Sequence, residues 1–354
     1  MASSLKDIQV QQGAKLAPDN IPLQFSDLLS EYQAALNGAA LLDRSHEGRI
    51  IITGADRFEI IQRVSTNDVL NLPENSGRPT VFTTANARII DRVEVYNRGD
   101  HALVLTEPGR GSAVKNYLQR QVFFNDDAQI QDITGESAQF GLHGAQADEV
   151  VKAFGVATDE INVLEGAELI IARQRVYAIR RKPLSSIYWT LIIPAAADAG
   201  AVWQAISSDD GVTPAGSLTF NVVRIRSGRP GVSRELTQDY IPLEVGLWDE
   251  VSFTKGCYTG QEIIARMESR ARMAKVMVRV SLSDHVNTPA PLMHDGKTVG
   301  NVTSSVKAPD GEVFGIAVVK TAVAEPEITL RTQQGVSAEV IELAASAPPV
   351  AMLD

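Results

Sequence analysis

Cysteine is nearly absent. Cys257 is the only one among 354 residues. An intramolecular disulfide is therefore excluded, and a reducing compartment, the cytoplasm, is the expected setting. One thiol cannot hold an iron–sulfur cluster by itself, because a cluster needs about four ligands. The five histidines (His46, His101, His143, His285 and His294) lack the paired spacing of a zinc site, so no protein-held metal is expected. No apolar run approaches the roughly 20 residues of a membrane span. The first 20 residues also lack the basic-then-apolar order of a signal peptide. Basic side chains are outnumbered, 33 Lys and Arg against 43 Asp and Glu, for a formal net charge of -10. Long-range repulsion then argues against general binding to DNA or to anionic membranes.

What remains is an ordinary folding composition, 44% hydrophobic and 21% charged. The length exceeds one simple core, so two or three structural units are expected. Residues 1–20 read as a loose leader. Residues 50–53 form a short apolar run ended by Gly54, and Asp56 is placed to cap a helix carrying Phe58, Ile61 and Val64. Residues 80–84, 89–96 and 101–106 read as successive strands, followed by a helix carrying Val114, Tyr117, Leu118 and Val122. This is an α+β pattern with hairpins, not a Rossmann alternation. It recurs as strands at 168–178 and 187–193, a helix carrying Val202, Trp203 and Ile206, and a second helix that Ser217 can cap and Gly228 and Pro230 stop. From Val276 the chain alternates Val276, Val278, Val280 and Leu282 with Met277, Arg279 and Ser281. Regular turn signals follow, which suggests a small antiparallel barrel or sandwich. The expected division is a leader (1–20), an α+β region of two interlocked lobes (21–275), and a C-terminal β-barrel domain with a frayed tail (276–354).

The richest segment in chemistry is Lys255-Gly-Cys-Tyr-Thr-Gly-Gln-Glu262. Thr259 and Glu262 have capping-box spacing, and Ile263, Ile264 and Met267 give the helix behind them an apolar face. Cys257 thus stands before a helix N-terminus, two residues from Lys255, and both favour a thiolate. It reads either as a reactive thiol or as a small residue packing a loop. Arg266, Arg270 and Arg272 make the following helix basic. They suit a phosphate, a nucleic-acid backbone or a folate polyglutamate tail, or else form a solvated face in which Glu262 pairs with Arg266. Asp91 falls on the apolar face of its strand with Ile89, Val93 and Val95, where a carboxylate needs a partner or a purpose. It could hold a protonated heterocycle or cap a nearby loop. Arg224 is one helical turn from Phe220 and could reach a buried anion or a ring system, although an ordinary surface arginine is the simpler reading.

The segment from Lys255 to Glu262 resembles the K-G-C-Y-x-G-Q-E signature of the YgfZ family. Leu42-Asp43-Arg44-Ser45 with Gly48, Gly54-Ala55-Asp56, Thr66-Asn67-Asp68-Val69, Pro242-Leu243-Glu244-Val245-Gly246-Leu247 and Gly300-Asn301-Val302-Thr303-Ser304 resemble landmarks of the wider glycine-cleavage T-protein superfamily. The resemblance covers residues 41–320. It implies a T-protein-like ring of three units, two interlocked α+β lobes plus a C-terminal antiparallel β-barrel. It also implies tetrahydrofolate or a derivative as ligand, with Asp91, Arg224, Lys255, Tyr258 and Gln261 as binding residues and Cys257 as the functional thiol. The implied role is a folate-binding accessory protein for assembly or repair of iron–sulfur enzymes, linked to tRNA modification, with a weak tRNA contact. Its partners would be iron–sulfur proteins or their assembly machinery. The alternative is the tetrahydrofolate-dependent aminomethyltransferase of glycine cleavage.

The sequence departs from the T-protein pattern at four places, the first being that Asn86 to Arg88 lacks its glycine pair. Arg92 replaces one member of the acidic pair at Asp91, Arg226 stands where the arginine helix has Glu, and 183–188 has no carboxylate where the T-protein places the glutamate that holds the pteridine. Aminomethyl transfer needs a preorganised acid–base contact at the folate nitrogen, so these losses count against it.

Overall fold

The alternating run after Lys275 becomes the strand Lys275–Leu282, which opens a closed barrel. Around the barrel the strands run Lys275–Leu282, Val313–Lys320, Lys297–Lys307, Ala290–His294, Thr329–Thr332 and Ser337–Leu343, the last pairing back on the first. Every pairing is antiparallel. The hairpin at 295–296 turns through two residues of positive φ, Asp295 (47°) and Gly296 (72°), the twist a two-residue connection requires. Val276, Val278, Val280, Leu292, Val302, Ala317, Leu330 and Val340 fill the interior. Each buried Val or Leu contributes about 1.5–3 kcal/mol of transfer free energy. Closure also removes the free sheet edges that would otherwise invite pairing with another chain.

The computed structural model describes residues 4–269 and 273–346, without the side chains of residues 268 and 269. The chain divides into two units that are discontinuous in sequence. The first comprises the chain up to Arg57, Leu72–Gly77 and Glu94–Val223. The second comprises Phe58–Asn71, Arg78–Val93 and the chain from Arg224 onwards, including the barrel.

In the first unit a six-stranded sheet runs Gly166–Ile171, Gln174–Arg180, Tyr188–Ile193, Ala138–His143, Ala39–Asp43 and Val212–Ala215. All its pairings are antiparallel except the last. Leu41, Phe140, Leu142, Trp189, Leu191 and Trp203 are buried together on it. A second antiparallel group joins Glu47–Thr53 to Ala102–Pro108 and to Gln129–Asp132. Two expectations change here. The single strand expected at 168–178 is a hairpin, turned by Ala172 and Arg173 at φ 50° and 64°. Neither residue is a usual turn former, so composition gave no sign of it. The leader holds a helix, Leu5–Gln11, whose Ser4 and Asp7 form a capping box. Its Gln9 is fully buried and donates from Nε2 to Asp43 (2.9 Å), while Leu5 and Ile8 pack on the core.

Among the described residues no helix is long and apolar enough to cross a membrane. Nor does any group of three His, Cys, Asp or Glu side chains there suit a metal ion.

Candidate functional site

The second unit brings three separated sequence landmarks together around the Cys257 loop. Lys255 is the centre of it. Its Nζ donates to the carbonyl oxygens of Ser65 (2.6 Å), Gln62 (2.9 Å) and Asn67 (3.1 Å), and lies 3.3 Å from Ser65 Oγ. Burial lowers the lysine pKa to about 8, with Asp68 opposing the fall, so the group is an ammonium at neutral pH. The same 65–67 turn reaches the chain just before the loop. Thr66 Oγ1 donates to the Glu250 carbonyl (2.8 Å), Asn67 Nδ2 to the Asp249 carbonyl (3.3 Å), and Ser252 N to the Thr66 carbonyl (2.9 Å).

Beyond the loop, Thr83 Oγ1 donates to the Thr259 carbonyl. Gly260 sits at φ +88°, so close to the 84–87 turn that a Cβ would lie 2.7 Å from Thr84 O. The helix Gln261–Ser269 starts only after Gly260. Thr259 is thus one residue too early for the expected capping box, and its carbonyl is spent on Thr83. Between these two anchored ends Cys257 is exposed, and a Cβ added at Gly256 would meet nothing within 4 Å.

Lys255, Tyr258 and Gln261 therefore knit the loop to itself and to its socket. The Tyr258 ring is buried, with Lys255 Nζ 5.3 Å from its centroid, and Gln261 Nε2 lies 3.5 Å from the Lys255 carbonyl. The ammonium is directed at the main-chain oxygens of the 62–67 segment and at Ser65 Oγ.

Asp91 and Arg92 lie in the strand Ile89–Asn97, which is buried on both faces rather than on one. Asp91 is 5% exposed. Arg92 donates from Nε (2.9 Å) and Nη2 (2.7 Å) to the same oxygen, Oε1 of Glu250, in a buried ion pair. The residue that replaces the second acid of the T-protein pair is thus committed to Glu250.

Arg224 ends its helix in another network. Its Nη2 donates to Ser304 Oγ (3.2 Å), and its Nη1 lies 3.3 Å from the Arg229 carbonyl and 3.5 Å from Glu235 Oε2. Glu235 is fully buried and also accepts from Ser304 Oγ (2.7 Å) and Gly231 N (2.8 Å). Arg224 is therefore neither an ordinary surface arginine nor a bare cation awaiting an anion. It fixes the start of the 224–235 segment to the barrel strand Lys297–Lys307. Arg226 faces Glu312 (3.3 Å) and Asp310 (3.6 Å). In the basic helix Arg266 is exposed, while Arg270 and Arg272 lie outside the described residues.

The first unit contains a cavity of about 270 Å³ beside the 183–188 stretch, lined among others by Asn162, Arg180, Arg181, Pro183, Ile187 and Tyr188. Its guanidinium charges are balanced by Asp148 (2.6 Å from Arg180) and Glu94 (2.7 Å from Arg181). Asp91 is a buried carboxylate on its strand. Lys255 and Arg224 are both held by groups of the protein itself.

The model of the GCVT N-terminal domain matches residues 5–255. The chain belongs to the GCVT family. It is 29% identical over 350 residues to a chloroplastic protein of Arabidopsis thaliana provisionally named a transferase, covering 96% of this chain and 79% of that one. It is 25% identical over 346 residues to the aminomethyltransferase of Bacillus mycoides, covering 93% and 94%. The crystal structure of the glycine cleavage system aminomethyltransferase T from Bartonella henselae superposes with a TM-score of 0.84, covering 97% of both chains at 18% identity. The fold is thus that of the T-protein, mixed α+β with the closed six-stranded barrel.

Sequence reasoning overlooked three groups that hold the site. They are the Ser65–Asn67 socket, Glu250 and Glu235. Thr66-Asn67-Asp68 was legible as a landmark, but nothing local said that its carbonyls receive a lysine about 190 residues away.

Proposed function

We propose that this GCVT-family protein is a tetrahydrofolate-binding accessory factor of the YgfZ type, cytoplasmic, which supports assembly or repair of iron–sulfur enzymes through Cys257. The observation that carries the reading is the Cys257 loop. It is the segment that resembles the YgfZ signature, it is anchored at both ends, and it presents the chain's single thiol outward. An exposed thiol on a fixed loop suits contact with a client protein or its assembly machinery. In this reading Asp91 contacts the folate, Arg224 holds the 224–235 segment to the barrel, and Lys255, Tyr258 and Gln261 support the loop. A link to tRNA modification runs through client iron–sulfur enzymes, with at most a weak tRNA contact by the chain itself.

The second reading is a tetrahydrofolate-dependent aminomethyltransferase, favoured by the aminomethyltransferases among the relatives. Arg92 weighs against it. The position of the second acid is occupied by a guanidinium already paired with Glu250, so Arg92 does not supply the second carboxylate of the T-protein pair.

Calorimetric titration of the reduced protein with tetrahydrofolate and 5-formyltetrahydrofolate tests the folate half. Saturable binding that weakens about tenfold or more in Asp91→Ala is expected, and absence of binding rejects it. Iron–sulfur enzyme activities in cells carrying only Cys257→Ala test the other half. Lowered activities are expected, and normal activities reject the accessory role. Tetrahydrofolate-dependent turnover of an aminomethyl carrier protein would instead establish the second reading.

A further inference from the structure

We propose that Lys255 is the positioning residue of the Cys257 loop, a latch whose ammonium holds the loop in its outward position by donating to the carbonyl oxygens of Gln62, Ser65 and Asn67. Three observations carry this. First, Lys255 is 8% exposed although it lies two residues from an exposed cysteine, so its four-carbon stem runs inward while the loop tip faces out. Second, its acceptors are main-chain carbonyls and one hydroxyl, with no carboxylate among them. Carbonyls that converge on one point repel each other unless a cation or donor fills it, so removing the ammonium leaves the turn as well as the loop unsatisfied. Third, the loop itself contributes little packing. Gly256 has open space around it, and Phe253, Thr254, Gly256 and Cys257 are all exposed. Apart from the buried Tyr258 ring and the Phe253 ring against Trp248 (centroids 6.3 Å apart), the loop is secured by hydrogen bonds at its ends.

The other titratable groups at the latch are Asp68, whose charge favours the ammonium, and the Tyr258 phenol, whose ring lies over it. A lysine, rather than an arginine, suits the socket because it presents three donors from a single point to oxygens of one tight turn. The purpose of the latch rests on the reading of Cys257 as the working residue, but its test does not.

The unique cysteine makes the loop directly readable, since a nitroxide attached to wild-type protein reports on position 257 alone. In Lys255→Met, amide hydrogen exchange across residues 252–260 is expected to rise about tenfold or more, the effect of losing charge-assisted hydrogen bonds. The nitroxide spectrum is expected to narrow, while exchange in Lys297–Lys307 and Val313–Lys320 stays as in wild type. Unchanged exchange and an unchanged spectrum overturn the proposal, because the end contacts alone would then hold the loop. An equal rise in the barrel strands also overturns it, because Lys255 would then serve general stability. Should Lys255→Met fail to fold, Lys255→Gln, which keeps two shorter donors, is expected to loosen the loop selectively but less. A wild-type loop in that variant overturns the proposal equally. None of these outcomes depends on folate binding or on iron–sulfur activity, so failure of the latch and failure of the proposed function are separable.

Discussion

Arg92 holds Glu250 through two nitrogens on a single carboxylate oxygen, and both side chains are less than a tenth exposed. The pair joins the strand of Asp91 to the turn that leads into the Cys257 loop. Arg92→Met leaves Glu250 buried without this partner and is expected to cost about 3–5 kcal/mol, the usual penalty for breaking a buried pair from one side. Arg92→Met with Glu250→Leu removes both charges and is expected to recover most of that loss. Denaturant melts of the three proteins check both statements. A single variant as stable as wild type contradicts them.

The two glycines of the signature differ in what they tolerate. Gly260→Ala places a methyl group 2.7 Å from the Thr84 carbonyl at a φ of +88° and is expected to lower stability by about 1–3 kcal/mol. Gly256→Ala meets open space and is expected to stay within about 0.5 kcal/mol of wild type. Thermal midpoints of the two variants decide whether the loop is constrained only at its ends.

Cys257→Ser is expected to change stability by no more than about 0.5 kcal/mol, because the side chain is exposed. A melting temperature equal to wild type, beside lost activity of iron–sulfur enzymes in cells, separates a working thiol from a packing one. A clear drop in melting temperature assigns the residue to packing.

His46 provides the acid limit. Burial, together with the charge of Arg44, lowers its pKa to about 4. His143, buried with Nδ1 against the Ala35 carbonyl (2.7 Å), is lowered as well. An unfolded chain protonates these rings near pH 6.5, whereas the folded chain resists it. Their contribution is therefore complete above pH 6.5. It is lost as pH falls below 6.5, towards 4 for His46, by up to about 1.4 kcal/mol per pH unit for each ring. His46→Gln is expected to flatten this slope in urea midpoints measured across that range, and an unchanged slope refutes the assignment.

Periodicity exposed the barrel because its strands alternate cleanly and its turns carry glycine at the places that need positive φ, such as Gly296 and Gly311. It failed at 172–173, where Ala and Arg turn the chain, and at Ala138–His143, a strand buried on both faces that shows no alternation. The candidate site was legible as a motif but not as a mechanism. Lys255 beside Cys257 suggested electrostatic activation of the thiol, a local inference. The observed hydrogen bonds of that ammonium go instead to Gln62, Ser65 and Asn67. Arg92 looked like a lost acid, and only the fold revealed Glu250 as its counterpart. In each case the decisive partner lies more than 150 residues away in the chain, beyond any spacing rule.

The distance between latch and socket has a consequence for biosynthesis. Gln62 and Ser65 precede Lys255 by 193 and 190 residues, so a nascent chain carries the empty socket through most of its translation. Until Lys255 emerges and docks, the three carbonyls must be satisfied by water, and a chain arrested before that point has a socket with nothing to fill it. A polypeptide started at Arg224 has the opposite defect, a thiol loop with nowhere to seat. Gene fission between the two would here divide a single hydrogen-bonded knot.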